Sequence, residues 1–98
     1  MKLKEFKKKN KFDKVILFGS FARGDFKNDS DVDVIIVDKR FKRMDYFKRG
    51  NGLWLKWHIE HKIKYPVDFI CYSPEEFDKL KKKVSIVSEA LREGIIIE

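Results

Sequence analysis

Residues 15–37 read Val-Ile-Leu-Phe-Gly-Ser-Phe-Ala-Arg-Gly-Asp-Phe-Lys-Asn-Asp-Ser-Asp-Val-Asp-Val-Ile-Ile-Val, and their order decides the fold. A β-branched and aromatic run, Lys14 to Phe18, enters the stretch, and a second strand, Asp31 to Val37, leaves it. Between them Gly19-Ser20 makes a turn. Ser20 is placed to N-cap a brief helical turn through Phe21, Ala22 and Arg23, and Gly24 suits its left-handed end. Asp25 to Ser30 has loop composition. Residues two apart on a strand point the same way, so Asp31 and Asp33 present both carboxylates on one face. Beyond Asp33 the strand is apolar on both faces, which reads as a central, covered strand with its carboxylates at the exposed end.

The chemistry follows from these two parts. Paired carboxylates are oxygen ligands for a hard divalent cation such as magnesium, which is usually shared with substrate phosphates. A turn that opens a helix aims free backbone N–H groups at a phosphate. Each part alone is commonplace: most Gly-Ser pairs are plain turns, and most Asp-x-Asp pairs are solvated strand ends. Here they stand in the order strand, Gly-Ser, ten residues (Phe21 to Ser30), Asp-x-Asp, strand. That order resembles the DNA-polymerase-β-like nucleotidyltransferases, most closely their minimal nucleotidyltransferase branch. Ala22-Arg23-Gly24, Ser30-Asp31, Pro66-Val67-Asp68-Phe69 and Tyr72-Ser73-Pro74-Glu75-Glu76-Phe77 also look like that branch, so the resemblance covers nearly the whole chain.

The resemblance implies a small mixed β-sheet flanked by helices, an α/β (α+β) fold, and a third acidic residue on a neighbouring strand. Asp68 matches that place. It opens the apolar run from Val67 on the same face as Ile70 and Tyr72; the alternative is a solvated strand start after Pro66. The resemblance implies two magnesium ions, held by Asp31, Asp33 and Asp68. Gly19 and Ser20 would hold the triphosphate of ATP, and Asp68 would help take the proton of the attacking hydroxyl. Arg23 lies one turn into the phosphate-facing helix and would touch the leaving phosphates, with a surface salt bridge as its competing role. The implied reaction moves AMP to a hydroxyl, with pyrophosphate leaving. Minimal nucleotidyltransferases commonly pair, as antitoxins, with a helical HEPN-domain toxin and add AMP to its tyrosine. Two alternatives stay open: an antitoxin that neutralises by binding alone, through exposed aromatics such as Trp54 and Trp57, and a free-standing transferase acting on RNA or a small molecule. Homo- or hetero-oligomers are both compatible with the sequence.

Size and charge set the remaining bounds. A chain of 98 residues reads as a single domain, residues 1–98, without room for a separate acceptor-binding domain. No apolar run approaches the roughly 20 residues of a membrane span, and the basic start lacks the apolar stretch of a secretory signal. Cys71, the only cysteine, excludes an internal disulfide and suits a reducing cytoplasm as a buried thiol. The net charge is +7, with seven lysines among residues 1–14 and a second cluster at Lys79, Lys81, Lys82 and Lys83. A solvated, heat-adapted surface outweighs a polyanion-facing one, because neither cluster carries interleaved aromatics.

The other elements are read from periodicity and punctuation. Lys2 to Asn10 is a short amphipathic helix, and a helical turn around Arg43 to Lys48 stops at Gly50-Asn51-Gly52. Leu53 to Lys62 has both strand and helix patterns; the resemblance favours helix. Val67 to Tyr72 is a strand. Ser73-Pro74-Glu75-Glu76 starts a helix that runs to about Lys83, with an N-cap serine, a proline at the first position and a capping-box glutamate. A last helix runs from Ser85 to Glu93, and Ile95 to Ile97 closes as a short strand. These elements predict a sheet covered mainly on one side. His58 and His61 lack an evident third metal ligand and read as helix-face residues.

Overall fold

The computed structural model describes residues 2–98. Helix α1 (Leu3–Asn10) buries Leu3 and Phe6, three apart on one face, and stops where Lys11 turns left-handed at φ 56°. Strand β1 (Lys14–Phe18), helix α2 (Gly19–Arg23) and strand β2 (Val32–Val37) follow. Two 3-10 turns, Lys39–Arg43 and Tyr46–Lys48, lead to α3 (Leu53–Leu55), which continues as a π-helical turn over Lys56–Glu60. Strand β3 (Val67–Tyr72), helices α4 (Pro74–Leu80) and α5 (Ile86–Glu93) and strand β4 (Ile95–Ile97) complete the order.

The four strands form one mixed sheet in the order β3-β2-β1-β4. β1 runs antiparallel to β2 and to β4, and β2 runs parallel to β3. The small mixed sheet flanked by helices is the α+β architecture expected from the sequence. Its central strand β2 is apolar on both sides because both sides are covered. On one face Val15, Leu17, Val34 and Ile36 pack with Phe6 of α1 and with Trp57. On the other Ile16, Ile35 and Val37 meet Phe77 of α4 and Val87 and Ala90 of α5. The expectation of cover mainly on one side is therefore corrected. α4 supplies one buried side chain and α5 two, too few to stand out in the periodicity, yet they close the second face. Phe77 is the one buried residue of α4, so truncating it to alanine would cost about 3–5 kcal/mol, the scale for a buried phenylalanine.

Local chemistry explains most boundaries. Ser73 caps α4: its hydroxyl accepts from the Glu76 amide at 3.3 Å, while Glu76 Oε1 accepts from the Ser73 amide at 2.8 Å. α4 ends at Leu80 rather than Lys83, and Ser85 caps α5 by the same kind of reciprocal pair with Ser88. Residues 43–48 are not one helical turn, because Asp45 caps a new turn by accepting from the Phe47 amide at 3.0 Å. Helix wins over strand at 53–60, where Leu53, Trp57 and His61, four apart, are the buried positions. Trp57 is wholly buried and its indole N–H donates to the Tyr65 carbonyl at 2.9 Å, whereas Trp54 stands exposed.

Candidate active site

The end of the sheet where β1 stops and β2 and β3 begin collects the residues singled out by the motif. Asp33 pairs in register with Phe18 on one side and with Asp68 on the other. In-register neighbours share a face, so Asp33 and Asp68 stand side by side on the face covered by α4 and α5. Asp31 immediately precedes β2, and both it and Asp68 are exposed while Asp33 is half-buried. Burial first, and then the charges of Asp68 and Asp31, raise the Asp33 carboxyl above the ordinary aspartate value; Arg23 offsets part of this. Asp33 thus feels the charge of both other carboxylates.

The turn after β1 is set by glycine. Gly19 has φ +72°, a conformation that side chains rarely adopt. A Cβ there would also collide with Asp33 Oδ2, so the backbone of the turn lies directly against the carboxylate. Phe18, in extended conformation, holds the cap position of α2, and no side chain caps the helix. The expectation that Ser20 is the N-cap is corrected: the cap falls two residues earlier, at Phe18, and Ser20 sits in the first turn of the helix. Gly24 ends α2 left-handed at φ 83°, as its composition predicts.

A cleft of about 410 Å³ opens beside this turn. Phe18, Gly19, Ser20, Arg23 and Asp33 form one wall, and Ile86, Glu89, Ala90 and Glu93 of α5 form the other. Arg23 faces the cleft and also donates from Nε to Asp25 Oδ2 at 3.3 Å; both side chains are exposed, so this pair holds the guanidinium only weakly. Asp31 and Asp68 are not part of the cleft lining. Sequence reasoning missed the α5 wall. Its signal was the spacing 86, 89, 90, 93 along one helix face, together with Gly94. A Cβ at Gly94 would meet the Ala90 and Leu17 carbonyl oxygens, so glycine lets α5 close down on β1.

Among the described residues no three His, Cys, Asp or Glu side chains stand as a ready-made ligand set. The donors at this end of the sheet are nevertheless all carboxylate oxygens, the chemistry a hard divalent cation takes. Burial and then like charge raise Asp33, and a cation would relieve the second of these, so the residues fit one. His58 and His61 serve elsewhere: His58 Nδ1 lies 2.9 Å from the Ile63 carbonyl oxygen, and buried His61 packs edge-on against Phe6.

Comparison with known proteins agrees with this geometry. The family model for the nucleotidyltransferase domain matches residues 1–97. A Methanocaldococcus jannaschii protein provisionally named a protein adenylyltransferase is 38% identical over 99 aligned positions, covering 95% of this chain and 92% of that one. A second protein of that organism and provisional name is 52% identical over 31 positions, covering 32% of this chain and 31% of its own. The crystal structure of a Sulfolobus solfataricus protein, provisionally named a nucleotidyltransferase, is similar with a TM-score of 0.55 and 26% identity, covering 96% of this chain and 74% of that one. The chain belongs to the nucleotidyltransferase domain family and is a nucleotidyltransferase. Among the described residues no helix is long and apolar enough to cross a membrane.

Proposed function

We propose that the chain transfers AMP from ATP to a tyrosine hydroxyl of a HEPN-domain toxin and so acts as its antitoxin. The observation that carries the reading is the register Asp33–Asp68, with the backbone of the Gly19 turn lying against the Asp33 carboxylate. The provisional name of the M. jannaschii relatives, protein adenylyltransferase, supports a protein acceptor.

In this reading Gly19 offers its backbone to the triphosphate, Ser20 adds a hydroxyl donor, and Arg23 balances the charge of the departing pyrophosphate. Asp31, Asp33 and Asp68 would hold magnesium, which supplies positive charge to the phosphate oxygens and to the attacking oxygen. The acceptor oxygen forms a bond to the α-phosphorus, the bond from that phosphorus to the β-phosphate bridging oxygen breaks, and pyrophosphate leaves. Asp68, exposed at the start of β3, accepts the hydroxyl proton. Half-buried Asp33, crowded by like charge, orients the site.

A second reading, neutralisation by binding alone, is favoured by Trp54, Leu55 and Ile59, which stand exposed along the α3 segment. Mass spectrometry of a HEPN protein co-expressed with the chain separates the two. The transfer reading expects an AMP adduct with the wild type and none with Asp33→Asn. An unmodified partner, equally inhibited by both proteins, would show that binding suffices.

A further inference from the structure

Three aromatic rings, two near α2 and one from the segment before β3, meet beside this end of the sheet. Phe21 of α2 stacks on Phe26 with centroids 4.3 Å apart and planes within 5°. The ring of Tyr65 meets Phe21 edge-on at 5.2 Å and 72°. Phe21 packs against the core and so has a structural role. Phe26 and Tyr65 do not: they remain 47% and 43% exposed. Both flank the carboxylates, Phe26 in the loop that leads to Asp31 and Tyr65 three residues before Asp68. Tyr65 is fixed at its backbone by the indole of Trp57, and the next carbonyl, that of Pro66, accepts from the Val32 amide at 2.8 Å.

Tyr65 also borders a second cleft, of about 410 Å³, with Lys2, Lys62, Ile63 and Lys64. The three lysines are exposed, and among the described residues none has an acidic side chain within 4.0 Å. The ledge is therefore both aromatic and cationic, a combination invisible in the lysine clusters of the sequence.

Position assigns it a role. The Gly19–Arg23 cleft lies on the sheet face covered by α5, whereas Phe21 packs into the core of the opposite face. Phosphoryl transfer needs the attacking and leaving oxygens in line on opposite sides of phosphorus. Phe26 and Tyr65 lie in the segments that lead into Asp31 and Asp68, so an acceptor held on them is presented beside the carboxylates. We infer that Phe26 and Tyr65, with Lys2, Lys62 and Lys64, dock an acidic protein segment that carries the acceptor tyrosine. This rests on the reading of the chain as a protein adenylyltransferase. The rings take the tyrosyl ring by stacking or edge contact, and the lysines select negatively charged flanks. An RNA strand fits less well, because the edge-on Tyr65 breaks the series of parallel faces on which successive bases stack.

The test is binding without ATP, so that it stands apart from the chemistry. The probe is a fluorescein-labelled peptide with one tyrosine flanked by glutamates; the controls are the same peptide with lysine flanks, and an oligoadenylate. Fluorescence anisotropy with the wild type, the Phe26→Ala/Tyr65→Ala protein and the Lys62→Glu/Lys64→Glu protein reads the surface. The acidic peptide is expected to bind the wild type, to weaken about tenfold or more in each double variant, and to lose to the lysine-flanked peptide on the charge-reversed protein. No binding to the wild type, equal affinity in all three proteins, or tighter binding of oligoadenylate lost in the same variants would overturn the inference. ATP and magnesium added last separate it from the reading on which it rests. Ledge-dependent binding with no AMP transferred would uphold the docking surface and count against adenylylation of tyrosine.

Discussion

Strand β2 has an aspartate at each end, and the chain treats them in opposite ways. Asp38, one residue past the strand, is almost fully buried, and its two oxygens accept three hydrogen bonds from Arg40: the backbone amide at 2.9 Å, Nε at 2.7 Å and a terminal nitrogen at 2.9 Å. The same guanidinium reaches back to the Asn10 carbonyl at 2.8 Å and ties the end of α1 to the sheet. Burial works to raise the Asp38 carboxyl, but the bonds and charge of Arg40 outweigh it and hold the acid below its ordinary value. Asp33, at the other end, is raised by burial and by two like charges, with only Arg23 opposing. One end of the sheet satisfies its charge from within the chain. The other has only Arg23 against its carboxylates, as the proposed site for a cation and a nucleotide requires.

The sharpest way to break this comparison is to exchange each acid for its amide. Asp33→Asn should lower AMP transfer by about 10²–10³-fold, the scale of losing one preorganised charge-stabilising group, while the protein stays folded. Gly19→Ala should do similar damage by driving a methyl group into Asp33, readable in the same transfer assay. Asp38→Asn should leave transfer by the folded protein unchanged but cost about 1–3 kcal/mol in urea unfolding, because Arg40 loses its charged acceptor.

The pH dependence sharpens the contrast, and its signs differ. A raised carboxyl means that the folded state holds its proton longer, so the Asp33 contribution to stability falls as pH rises through the carboxylate range. A lowered one means that the Asp38 contribution is present at neutral pH and lost as pH falls. Urea midpoints measured from acid to neutral pH should show Asp33→Asn more stable than wild type at neutrality and Asp38→Asn less stable, both differences shrinking in acid. The smallest expected effect is on Cys71, whose burial pushes the thiol up to about 11. A thiol reagent at mildly alkaline pH should label it only after unfolding.

Much of the reactive end was legible in the sequence because its parts are local. Gly19, Asp31 and Asp33 sit within one turn and one strand start, and Asp68 was placed by the resemblance, which implies a third acid on a neighbouring strand. Ser73 was legible as a cap because its signals are local too. The second face was not, since α5 reaches β1 only through the close approach at Gly94, which depends on the backbone of Leu17 across the sheet. The Phe21–Phe26–Tyr65 ledge was hidden because its rings come from three separate segments. The latch of Asp38 on Arg40 and Asn10 was hidden too, because periodicity records which residues are apolar and not which polar ones will find each other.

The most direct test is a calorimetric titration of ATP, with and without magnesium, into the wild type, Asp33→Asn and Asp38→Asn. Wild type and Asp38→Asn should bind ATP tightly only with magnesium, and Asp33→Asn should lose that dependence. Equal magnesium dependence in Asp33→Asn and wild type would contradict it, because the carboxylates at the open end of β2 would then hold no cation for the nucleotide.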